Sequence, residues 1–144
     1  MTDTQSYLFD FERVPMFFDK MNISYKLLEM NSSNNFQLVF SDYASDNIQD
    51  CLNLDGTLNT TNVHIAQSGS AVVDFSLKWD NEIISVRNDT TWTVGDANVF
   101  LKAVFIRNKA TGFVLGYCIH MNSFDVTNTV TLPKDTILWS IQDG

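Results

Sequence analysis

Few side chains in this sequence are of a type that does chemistry, and their spacing decides how they are read. His64 and His120 are the only groups whose ordinary titration falls near neutral pH, and Cys51 and Cys118 are the only thiols. A serine or cysteine hydrolase needs a nucleophile, a histidine and an orienting group brought together in space. His120 follows the apolar run 113–119, and His64 stands between Val63 and Ile65, so both read as strand histidines rather than catalytic bases. Cys51 and Cys118 fit no CxxC or zinc spacing and are expected to be free, buried thiols. No GxSxG, GxxxxGK[ST], GxGxxG or HExxH occurs, which removes the usual nucleophile elbow, phosphate cradles and zinc helix.

Carboxylates are more plentiful, with 17 Asp and Glu against 9 Lys and Arg. A glycosidase needs two of them about 5 to 10 Å apart, with one held neutral by burial, and no feature of the sequence selects a pair. Asp42, Asp46 and Asp50 recur every fourth residue and would line up on a helix as like charges, while the calcium-loop pattern DxDxDG is absent. A solvated acidic loop is the expectation, and Asp55-Gly56 and Asp80-Asn81 read as turns. No catalytic residue, metal ligand or cofactor is therefore assigned. Sugar binding would use exposed aromatics as stacking platforms beside Asn and Asp. Trp79 and Trp139 fall in register with apolar faces and read as core. Trp92, flanked by Thr90, Thr91 and Thr93, is the candidate glycan-binding residue.

The elements that would position these groups follow from composition and alternation. The 144 residues suit one domain, and the formal charge of −8 argues against a phosphate-backbone partner, so no nucleic acid is expected. No basic leader precedes an apolar core at the start, and no apolar run approaches the roughly 18 to 20 residues needed to span a bilayer, so no membrane association is expected. Asn, Ser and Thr are abundant and only 3 of the acids are Glu, which favours strands and turns over helices.

A hairpin is predicted over residues 71–88, turning at Asp80-Asn81. It would pair Trp79 with Glu82, Leu77 with Ile84 and Phe75 with Val86, and set Asp74 against Arg87. A second is predicted with strands at 99–107 and 113–120 around a loop in which Gly112 takes the left-handed position. Its alternation fails: Leu101, Ala103 and Phe105 oppose Phe100, Val104 and Ile106, so both faces must be covered by another layer, an arm or a second subunit. Further strands are expected at 23–30, 36–40, 63–66 and 126–132. After a turn at Pro133-Lys134-Asp135, Ile137, Trp139 and Ile141 would alternate with Leu138. Residues 41–54 fit a helix face or a strand equally. The count and spacing suit an all-β, antiparallel β-sandwich of jelly-roll type over residues 22–144. It would be preceded by an aromatic-rich N-terminal arm at 1–21 that carries Tyr7, Phe9, Phe11, Phe17 and Phe18.

The stretch VFLKAVFIRNKATGFVLGY, followed by VTNTVTLPKDTILWSI, resembles the end of small virion structural proteins of tailed bacteriophages, which carry a hairpin and then an ITLP…G…LW-I-like closing pair. The resemblance implies a non-enzymatic head or tail accessory subunit, assembled in the host cytoplasm into a virion. Its partners would be other virion proteins, and homo-oligomers are expected. The interface would use Tyr7, Phe9, Phe11, Phe17, Phe18, Phe100, Val104 and Ile106. A carbohydrate-binding β-sandwich module centred on Trp92 is the alternative.

Overall fold

In a computed structural model, residues 10–14, 36–67, 70–80, 83–94, 99–126 and 129–140 are described. They form antiparallel β-sheet with almost no helix, as the composition requires. The large sheet is built from β1 (Glu12–Arg13), β2 (Phe36–Ala44), β3 (Val63–Ile65), β4 (Val72–Phe75), β8 (Val99–Asn108) and β9 (Val114–Val126). It runs β1-β9-β8-β2-β3, with β4 also pairing with β2. A three-stranded sheet joins β11 (Ile137–Ser140), β6 (Ile83–Val86) and β5 (Leu77–Asp80), and β10 (Thr129–Leu132) pairs with β7 (Thr90–Thr93).

The β8–β9 hairpin forms as its loop chemistry dictates. Gly112 takes φ 78°, and the Asn108 side chain accepts from the amides of Ala110 and Thr111. β9 continues to Val126, beyond the expected end at His120. The two-sided burial foreseen for this hairpin is met within the chain. Val104, Phe105 and Ile106 are all buried, as are Leu38, Val39 and Phe40 on neighbouring β2. The smaller sheets supply part of the cover. Trp92 on β7 stacks on Phe40 at 4.7 Å between ring centroids, and the Trp139 ring of β11 lies against Gly116 of β9. A Cβ added to Gly116 would stand 2.0 Å from Trp139, so only glycine admits that close approach.

The 71–88 hairpin forms differently from expectation. The strand breaks at Ser76: β4 pairs with β2, placing Phe75 opposite Phe36, while β5 alone pairs with β6. The β5–β6 ladder closes at Asp80 and Ile83, with Trp79 opposite Ile84 and Leu77 opposite Val86. In this register Trp79 stands opposite Ile84 rather than Glu82, and Leu77 opposite Val86 rather than Ile84. Asp74 consequently meets Lys109 at 2.6 Å and Gln37 at 2.9 Å, not Arg87. On β11 a bulge between Ile137 and Trp139 breaks the expected alternation: Leu138 and Trp139 are buried and Ile137 is exposed. The ambiguous 41–54 stretch holds the end of β2 and a single helical turn, α1 (Ile48–Cys51), capped by Asn47 on the Gln49 amide. The strand expected at 23–30 lies outside the described residues, as does most of the 1–21 arm.

Candidate functional site

Each histidine lines its own cleft, so the two never share a site. The first cleft, about 500 Å³, lies where β1, β9 and the approach to α1 meet, with Asp10, Glu12, Asp46, Ile48, Cys118 and His120 among its walls. β1 pairs with β9 through Glu12–Tyr117 and Arg13–Gly116. The Tyr117 hydroxyl donates to the Glu12 carboxylate at 2.8 Å. Burial, followed by the hydrogen bond and charge of Glu12, pushes that phenol up to about 12. Across the cleft, the largely buried Lys102 ammonium donates to Asp46 at 2.5 Å and to the His120 carbonyl at 2.6 Å, tying the α1 approach to the β8–β9 pair.

Cys118 Sγ lies 3.9 Å from His120 Nε2, the one thiol–imidazole juxtaposition among the described residues. Its electrostatics run opposite to those of an activated nucleophile. Burial raises the Cys118 pKa, and although the Asp10 backbone hydrogen bond lowers it, the charges of Asp10 and Glu12 raise it again. Burial lowers the His120 pKa, and Lys102 lowers it further. Thiol and imidazole are therefore both neutral near pH 7, so the two do not form a standing thiolate–imidazolium pair. Cys51 is likewise unbridged and buried, with its thiol 3.4 Å from the Ser45 carbonyl and its pKa raised, foremost by burial.

The second cleft, about 510 Å³, follows the edge strand β3 and is lined by Asp42, Thr60, Val63, His64, Ile65 and Gln67. Asp42 is the extra residue of a bulge: Ser41 pairs with Ile65 and the next partners are Tyr43 and His64. The fully buried Ser41 hydroxyl staples that bulge, donating to the Tyr43 carbonyl at 2.7 Å and accepting from its amide at 3.2 Å. The Tyr43 ring, 58% exposed, leans on the His64 ring at 5.3 Å. Asp42 Oδ1 is buried and has no hydrogen-bond partner. Such an atom costs on the order of 1 to 3 kcal/mol until a donor reaches it.

The structure separates the sequence candidates. Trp92 is not a glycan platform: it is fully buried on Phe40, and the alternation of Thr90 and Trp92 inward with Thr91 and Thr93 outward is the signal that places it in the core. Val104, Ile106 and Phe11 are buried within the chain and are core residues rather than free surface, while Phe100 is 58% exposed. Tyr7, Phe9, Phe17 and Phe18 lie outside the described residues. Asp42, Asp46 and Asp50 do not form one face: Asp42 sits in the β2 bulge, Asp46 pairs with Lys102, and Asp50 accepts weakly from Ser45 at 3.4 Å. Among the described residues no group of three or more His, Cys, Asp or Glu is placed to hold a metal ion, and no helix is long and apolar enough to cross a membrane. Comparison of the chain with protein-family models, curated proteins and solved structures found no match.

Proposed function

We propose that this chain is a non-enzymatic structural subunit, a head or tail accessory protein of a bacteriophage virion, that works by protein–protein assembly. In this reading the layered strands are a jelly-roll β-sandwich that takes in residues 11–14 through β1, and the partners are further copies and neighbouring virion proteins. The observation that carries it is Phe100, which leaves 58% of its surface to solvent on β8 while Val99 and Leu101 on either side are buried. Covering one such ring contributes about 1.5 to 3 kcal/mol, and closed symmetry repeats that gain in every subunit.

The test is the solution mass of the full-length chain and of Phe100→Asp, by light scattering behind size exclusion at two concentrations. The parent is expected at a multiple of 16.3 kDa that persists on dilution, and the variant as a folded species of lower mass. A parent monomeric at both concentrations, indistinguishable from Phe100→Asp, would overturn assembly through this residue.

A further inference from the structure

Cys118 and His120 are the softest ligating side chains in the walls of the first cleft, and strand geometry sets them together. They stand two apart on β9, so both turn toward the cleft that they line. His120 also opens a bulge: Leu101 pairs with Phe124 and Ala103 with Ile119, so residues 120–123 stand against Lys102 alone. Bulges of this kind re-aim a side chain beside a site. The outcome is 3.9 Å between Cys118 Sγ and His120 Nε2.

Metal bonds to sulfur and to imidazole nitrogen run to about 2.3 and 2.0 Å, so an ion held by both atoms separates them by at most about 4.3 Å. The observed gap seats an ion on a bent line between the two. Coordination number then selects the ion. Zinc takes three or four protein ligands, and among the described residues no third His, Cys, Asp or Glu joins this pair in a set placed to hold a metal. Calcium and magnesium take oxygen ligands, and the pair offers none. A soft monovalent ion, satisfied by one thiolate and one imidazole, is the cation that fits. Asp10 and Glu12 in the same walls favour positive charge, and the Asp10 backbone hydrogen bond to the Cys118 thiol is the kind of outer contact that fixes a sulfur ligand. We propose that Cys118 Sγ and His120 Nε2 form a two-coordinate site for cuprous ion in the first cleft. As the copper–sulfur bond forms, the thiol proton leaves to solvent; copper enters and stays as Cu(I), so no electron is transferred. The site does not depend on assembly through Phe100.

The reduced full-length chain, titrated without oxygen against the bicinchoninate complex of Cu(I) near neutral pH, tests this. One copper per chain is expected to pass to the parent and equally to Cys51→Ala, which removes the other thiol. Cys118→Ser should weaken binding by more than the roughly 100-fold that loss of an outer-shell partner costs, and His120→Gln should weaken it by at least about tenfold. X-ray absorption of the loaded parent should show one sulfur and one nitrogen on copper. Should Cys118→Ser fail to fold, silver(I) added to the parent decides alone: the ring signals of His120 are expected to shift in NMR and to stop shifting at one equivalent. No copper taken from bicinchoninate, equal binding by Cys118→Ser, loss of binding in Cys51→Ala, or silver shifts centred away from His120 would overturn the proposal.

Discussion

The two clefts are nearly equal in volume and each holds one histidine, yet they handle their charges in opposite ways. In the first, polar groups answer one another across segments: the Lys102 ammonium donates to Asp46 and to the His120 carbonyl, and the Tyr117 hydroxyl donates to Glu12. In the second, a carboxylate oxygen is buried without a donor on an edge strand. A polar network whose members satisfy one another locks separate segments together, whereas an unmet buried acceptor leaves a cost in the fold. The first cleft therefore reads as a clasp and the second as an unclasped edge.

The largest effect is expected where the clasp leans on the second layer. Gly116→Val places a side chain into the Trp139 ring and, 3.0 Å away, against the Glu12 carbonyl, so both β11 and β1 must move. A loss of about 3 kcal/mol is expected in urea denaturation, at the upper end for overpacking. Lys102→Met keeps the aliphatic stem but removes the ammonium that donates to the His120 carbonyl and to Asp46, for an expected loss of about 2 kcal/mol. The same cleft carries a pH signature. Because the folded pKa of His120 lies below its ordinary 6.5, the unfolded chain takes up the proton first. The stability held above pH 6.5 is therefore lost as pH falls through the folded value. Lys102→Met should raise the His120 pKa in an NMR titration without restoring 6.5, since burial is the larger cause. An unchanged titration would remove Lys102 from the account.

The contrast between clasp and unclasped edge was only partly legible in the sequence. The β8–β9 hairpin was legible because its loop is local: Asn108 caps its own turn and Gly112 takes the positive φ. The break at Ser76 was not, because residues 72–80 alternate without interruption and only the distant β2 draws β4 away. Both clefts join segments far apart in the chain, Asp10 with His120 and Asp42 with Gln67, so no spacing announces them. Asp42 was visible only as one of three regularly spaced acids, and its distinction from Asp46 depends on a bulge and on a lysine 56 residues beyond Asp46.

The smallest effects discriminate best, because their signs differ. Asp46→Asn removes the charge that Lys102 faces and should cost about 1 kcal/mol, moderated by the exposure of Asp46. Asp42→Asn replaces an unmet charged acceptor by a neutral amide, which is easier to bury, and should leave the protein as stable as before or up to about 1 kcal/mol more so. Urea denaturation of the two variants beside the parent, at one pH, tests the distinction most directly. A lower midpoint for Asp46→Asn with an equal or higher midpoint for Asp42→Asn is the predicted result; equal losses in both would mean that Asp42 is as much a structural group as Asp46, and would contradict the contrast between the two clefts.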